Sequence, residues 1–233
     1  MQKDTKNKFI STILKLDDIT NKSILEIGCG TGRITEELAK YAKLVVATDP
    51  NKQSIEIAKR NVLQPNVNYV VCKGEELPIT HPPFDLVIYT LSLHHIPEQY
   101  MIQSLERATN TLNDSGKIII IEPGYSGSFI EMEETFNLGC GIERYAKEIT
   151  HRTITSFLRG TSTGVSANRL KLDVEASFHT DFYFKNLEDF YKMFVGRGWK
   201  GDNTRLDSFL DAHTENEGIR LVADRTAYLL SKN

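Results

Sequence analysis

Cysteine is scarce in this 233-residue chain: Cys29, Cys72 and Cys140 are odd in number, widely separated and form no C-x-x-C pair. That spacing excludes a disulfide framework and offers no zinc site, so no metal is expected and the thiols read as buried or incidental groups in a reducing compartment. Long hydrophobic runs are missing too. The purest, residues 118–121, falls far short of the ~20 apolar residues that a membrane span needs. The polar opening and the charges Lys15, Asp17 and Asp18 that break the apolar residues after it give no targeting segment, and a cytoplasmic protein is expected. There is no excess of basic charge: 28 Lys and Arg against 31 Asp and Glu give a net charge of −3. Neutralising a phosphate backbone requires the opposite balance, so neither nucleic acid nor a membrane is an expected partner. What is present, 40% hydrophobic and 25% charged residues, suits one soluble globular domain with an insert and excludes disordered and collagen-like chains.

Through residue 122 helical and strand patterns alternate. Phe9, Ile10, Ile13 and Leu14 recur at helical spacing before a strand over 23–27. Ile34, Leu38 and Tyr41 mark the next helix, and residues 44–48 form a second strand ending at Asp49. Asn51 is suited to cap a helix that turns Ile55, Ala58 and Val62 inward. Strands over 67–72 and 84–89 follow, then a stripe of Met101, Leu105, Ala108 and Leu112. The turn Asn113-Asp114-Ser115-Gly116 leads to an apolar strand over 117–121. Apolar strands alternating with amphipathic helices predict a doubly wound, Rossmann-like α/β fold, with ligands at the carboxyl ends of the strands. Residues 125–185 read as a mostly helical insert after the fifth strand, and 186–233 complete the sheet with helices near 187–194 and 206–212 and a last strand over 219–230.

The chemistry-bearing signal is Glu26-x-Gly28-Cys29-Gly30-x-Gly32 at a strand-to-helix turn, where glycines let the backbone bend tightly and a ligand come close. The spacing is G-x-G-x-G. A dinucleotide turn has its third glycine one residue later, where Arg33 stands here, so a pyrophosphate is disfavoured. Asp49, about 20 residues on, can accept both hydroxyls of a ribose, and Pro50 offers a flat apolar surface. Together they ask for a nucleoside.

Ile24-Leu25-Glu26-Ile27-Gly28-Cys29-Gly30-Thr31-Gly32, Asp49, Glu75-Glu76-Leu77-Pro78, Phe84-Asp85-Leu86-Val87 and Leu112-x-x-x-Gly116 resemble the ordered motifs of class I S-adenosylmethionine-dependent methyltransferases. The likeness covers about residues 20–123. It implies a seven-stranded, mostly parallel sheet, whose sixth strand would fall between Trp199 and Leu206, and a cofactor core over 1–124, with 125–185 as an acceptor cap. It further implies S-adenosylmethionine as cofactor and S-adenosylhomocysteine as product. Gly28, Cys29, Gly30 and Gly32 would pass beneath the methionine part, Glu26 would position it, Asp49 would take the ribose and Pro50 would lie on adenine. Lys73 stands where the family often has an aspartate, so Gly74 and Glu75 would meet the adenine edge. Tyr89, Thr90 and Leu91 would line the sulfonium and methyl group. His94 and His95, in Leu93-His94-His95-Ile96-Pro97, are the expected catalytic pair, since imidazole titrates nearest neutral pH. His151, Tyr125, Tyr145 and Glu122 are further groups that could face an acceptor.

No Asn/Asp-Pro-Pro-Tyr follows the fourth strand and no Pro-Cys nucleophile is present, which argues against methylation of bases or glutamine. A small-molecule acceptor is expected, methylated on O, N or C, by a monomer or homodimer. The aromatic run Phe178, Phe182, Tyr183, Phe184 would suit an apolar acceptor or a core. Two alternatives stay open: a non-catalytic cofactor-binding regulator or subunit, and an enzyme that runs different chemistry on the same cofactor.

Overall fold

A computed structural model of the chain describes residues 2–3, 7–77, 83–138, 143–159, 170–195, 203–215 and 218–233. Pro78, Cys140 and Trp199 lie outside the described residues. In chain order the elements are β1 (Gln2–Lys3), α1 (Lys8–Leu16), β2 (Ser23–Ile27), α2 (Arg33–Ala39), β3 (Leu44–Asp49), α3 (Lys52–Asn61), β4 (Val67–Val71), β5 (Phe84–Thr90), α4 (Glu98–Thr111) and β6 (Leu112–Pro123). There follow α5 (Ser128–Phe136), α6 (Glu143–Leu158), β7 (Leu170–Phe184), α7 (Leu187–Val195), α8 (Asn203–Asp211), β8 (Thr214–Glu215) and β9 (Gly218–Lys232). They fall into two compact units.

The larger unit comprises Ile10–Glu122, Ala146–Ala176 and Thr226–Asn233. Its sheet has the order β4-β3-β2-β5-β6-β9-β7, and β4, β3, β2, β5 and β6 run parallel. Side chains alternate across the sheet because successive Cβ atoms point to opposite faces. On one face Leu25, Ile27, Val87, Ile118 and Ile120 pack with Met101, Leu105 and Ala108 of α4 and with Ile149, Ile154 and Phe157 of α6. Ile24, Leu86, Ile88, Ile119 and Ile121 belong to the alternate set and are equally buried. Each such side chain contributes about 1.5–3 kcal/mol on burial, which is why these strands read as near-continuous apolar runs.

Register sets the rungs at the carboxyl edge. Thr48, Ile27, Tyr89 and Ile120 lie on one rung, since Ile27 pairs with Thr48 and Tyr89, and Tyr89 with Ile120. Gly28, Asp49, Thr90 and Ile121 follow on the next level, so four strands deliver their ends side by side. At the other edge, the turn expected at 113–116 is a bulge within β6: Phe84 pairs with Leu112 but Leu86 with Lys117. The intervening Asp85 carboxylate accepts from Asn113 Nδ2 at 2.6 Å and from the Ser23 amide at 2.7 Å, giving Asn113 of the bulge a partner within the sheet.

The smaller unit comprises Met1–Phe9, Pro123–Tyr145 and Ser177–Arg225. In it β1 pairs antiparallel with β7 and β8 antiparallel with β9. Its core gathers Phe129, Phe182, Phe184, Phe190, Phe194 and Leu206, with Phe129 stacked on Phe182 at 3.7 Å between centroids. Phe182 and Phe184 of the aromatic run are therefore core residues. Two expectations change here. Residues 203–211 are the helix α8, not part of a sixth strand, and the end of the segment read as helical is the 15-residue strand β7. Apolar residues at 170, 172, 174, 176, 178, 182 and 184 alternate with mostly polar ones, the period-two signature of a strand.

Candidate active site

The glycine loop follows from β2. Gly28, Gly30 and Gly32 have φ of 80°, 54° and 91°, a region costly to residues with a Cβ. The Gly28 and Cys29 amides both donate to the Thr48 carbonyl, at 2.8 and 2.9 Å, which folds the loop back across β3. A Cβ on Gly28 would stand 2.4 Å from that of Ser92, whereas one on Gly30 would meet nothing within 4 Å. Gly28 is therefore needed for packing, and Gly30 for space.

That space is a cavity of about 570 Å³, within the range of small-molecule and cofactor sites. Of the expected residues, Gly28, Gly30, Asp49, Pro50, Gly74, Glu75, Leu91 and His95 line it. Ile27, Asn51, Ser54, Cys72, Lys73, Ser92, Ile96 and Pro97 complete the wall and were not expected from the sequence as ligand contacts. Most of them flank a recognised motif by one or two positions, which is the one signal that could have found them.

Asp49 holds the wall together. One oxygen accepts from the Gly30 amide at 2.9 Å and the other from the Asn51 amide at 2.8 Å. A carboxylate offers about four lone-pair sites, so both oxygens keep capacity for hydroxyls in the cavity. Capping α3 falls to Asn51, whose side chain accepts from the amides of Gln53 and Ser54. Lys73 also lines the cavity while its Nζ pairs with Glu76 Oε1 at 2.8 Å. Glu75 is 7% exposed on the same wall. Leu91 adopts φ of 54°, with its amide donating to the Ile121 carbonyl at 2.8 Å.

Other expected residues stand off the wall. Glu26 is buried and accepts from Thr35 Oγ1 at 2.6 Å. Burial raises its carboxyl to about 7, against the lowering effect of the Thr35 hydrogen bond and Arg33, and Asp49 adds to the rise. The Cys29 thiol is pushed well above its ordinary range, first by burial and then by Glu26 and Asp49, which makes it inert. Gly32 packs against Val62 and Ala58. Tyr89 lies in the core rather than on the cavity wall, because its hydroxyl finds Ser104 O at 3.1 Å and Ser104 Oγ at 2.8 Å inside the helix layer. Thr90 Oγ1 is buried without a hydrogen-bond partner among the described residues.

The two histidines part ways. Leu93–His95 form a 3-10 turn, with His95 on the cavity wall and His94 Nδ1 2.5 Å from Glu122 Oε2. Elsewhere, His151 contacts the Tyr228 hydroxyl, and Tyr125 and Tyr145 are exposed. Among the described residues no group of three or more His, Cys, Asp or Glu is placed to hold a metal ion, and no helix is long and apolar enough to cross a membrane.

Residues 24–116, which contain the glycine loop, Asp49 and His95, match the model of a family described as a methyltransferase domain. That stretch, which carries the glycine loop and Asp49, is similar to the class I S-adenosylmethionine-dependent methyltransferases. The chain is 30% identical over 112 residues to an uncharacterized methyltransferase of Bacillus licheniformis, covering 46% of this chain and 51% of that protein. Over 128 residues it is 30% identical to the ubiquinone/menaquinone biosynthesis C-methyltransferase of Rickettsia typhi, covering 50% of this chain and 49% of that one. The chain thus spans about half the length of the curated relatives it matches. Among solved structures, the N-methyltransferase NodS from Bradyrhizobium japonicum in complex with S-adenosyl-L-homocysteine has a TM-score of 0.54 at 14% identity, covering 98% of this chain and 87% of that chain. That likeness is one of fold. S-adenosylmethionine is the cofactor of the family, and the open cradle above Gly30, beside a carboxylate with lone pairs to spare, fits its nucleoside.

Proposed function

We propose that the chain transfers the methyl group of S-adenosylmethionine to a small-molecule acceptor. The observation that carries this is the side-chain-free floor at Gly30 next to Asp49, in a cavity that His95 also lines. The cofactor supplies an already activated sulfonium methyl. Asp49 would accept the ribose hydroxyls through its remaining lone pairs, and Pro50 would cover one face of adenine. Glu75 would meet the adenine amino edge in place of the missing aspartate, while Glu26, from beneath the loop, would favour a cationic amino group above it. Leu91 would set the apolar wall where the acceptor approaches.

Holding the acceptor in line behind the methyl group does most of the work, because fixed proximity removes a large entropic barrier. An acceptor that arrives protonated also needs a base, and His95 is the histidine on the wall among the described residues. The relatives named above carry both C- and N-methyl transfer in their names, so the proposal keeps carbon, nitrogen and oxygen acceptors together. Isothermal calorimetry with S-adenosylhomocysteine and with NAD tests the cofactor assignment. Binding of the thioether and not of NAD is expected; the reverse would end the proposal. Incubating a metabolite extract with methyl-labelled cofactor should yield a product heavier by one CH₂, and a labelled product of any other composition would point to different chemistry on the same cofactor.

A further inference from the structure

Glu122 is fully buried at the end of β6, a position where a carboxylate is costly unless hydrogen-bonded. One oxygen accepts the Leu93 amide at 2.9 Å and the other lies 2.5 Å from His94 Nδ1. Both partners belong to the 3-10 turn that ends in His95. Three-residue 3-10 turns are weakly self-supporting, so this one depends on what grips it. The strand end grips it at two points, and the Leu91 amide bonded to Ile121 adds a third tie beside them. The His94 ring, itself 9% exposed, leans on the His95 ring with centroids 4.0 Å apart and planes at 45°.

We propose that Glu122 is a positioning residue that fixes the His95 imidazole on the cavity wall. Its carboxylate secures the turn through Leu93 and locks His94 with the proton on Nδ1, since a carboxylate accepts and the ring must donate. The locked His94 ring then limits the rotation of His95. Deepening the function proposed above, this assignment rests on the cavity being the cofactor and acceptor site. It gives His94 a supporting part and leaves His95 as the group that meets an acceptor.

Nitrogen-15 imidazole NMR of the full chain tests it. Wild-type His94 should show a protonated Nδ1 without any ligand. In Glu122→Gln the amide oxygen can still hold Leu93, but its NH₂ faces Nδ1, so the His94 proton should move to Nε2 and the His95 signals should shift. His94→Phe keeps a ring against His95 without the tie to Glu122, and carries the test should Glu122→Gln fail to fold. Saturating S-adenosylhomocysteine should move the His95 signals in wild type and move them at least about threefold less in either variant, with affinity by calorimetry held within about threefold. A bare Nδ1 on wild-type His94, or His95 signals alike in wild type and both variants, would overturn the assignment. If wild type fails to bind S-adenosylhomocysteine, the cofactor reading falls. The ligand-free His95 signals then decide the role of Glu122: variant shifts uphold it and unchanged signals refute it.

Discussion

Asp49 does two jobs at once. It ties the Gly30 amide to the Asn51 amide, and it faces the cavity with capacity left over. Asp49→Ala should therefore weaken S-adenosylhomocysteine binding at least tenfold, because hydrogen bonds to a charged group contribute about 1.5–3 kcal/mol. Calorimetry returning wild-type affinity would reduce Asp49 to a loop tie. Glu26 makes a different prediction. Burial lifts its carboxyl from 4.5 to about 7 in the folded chain. Between those values the unfolded chain has lost the proton and the folded chain retains it, so stability falls as pH rises, by roughly 3 kcal/mol across the window, and levels off above it. Thermal melts from pH 5 to 8 should show that decline in wild type and lose it in Glu26→Gln; equal slopes would mean Glu26 carries no such proton. Both residues were legible in the sequence, one at a strand end and the other two positions before the first glycine. Tyr89 was not placed correctly, because adjacency to a motif does not say which way a strand residue points, and its hydroxyl is satisfied by Ser104 inside the core.

At the level of elements, the glycine loop separates two kinds of constraint that a motif alone merges. Gly30→Ala puts a methyl group into open cavity. It should cost about 1–2 kcal/mol of stability from the left-handed backbone, and abolish S-adenosylhomocysteine binding in a chain that still melts cooperatively. Gly28→Ala drives the same methyl into Ser92 and should lower the melting temperature further. Equal melting temperatures for the two would show that the Ser92 contact yields easily. The helices of the first half and the strands they alternate with were readable because burial on both faces writes long apolar runs. Strand β7 was missed because its alternation, Leu170-Lys171-Leu172-Asp173-Val174, lies in a stretch where neighbouring helices set the expectation. The bulge at 113–116 looked like a turn, since Asn, Asp, Ser and Gly favour both, and only the partner Asp85 on another strand distinguishes them.

For the molecule as a whole, the aligned rungs matter more than any single contact. Asp49 and Thr90 end their strands on the level of Gly28, the residue that follows β2, and Glu122 stands one residue past that level on β6. Each residue of strand advances about 3.3 Å and reverses face. A single added residue inside β2, β3 or β5 would carry that strand's contribution out of reach and turn it away. The connections at the opposite edge, such as 40–43, bear no such duty. A two-residue insertion after Lys40 should leave S-adenosylhomocysteine affinity intact, while one residue inserted between Val46 and Ala47 should remove it. Lineages built on this scaffold are thus free to lengthen at one rim and held to a fixed count of residues at the other.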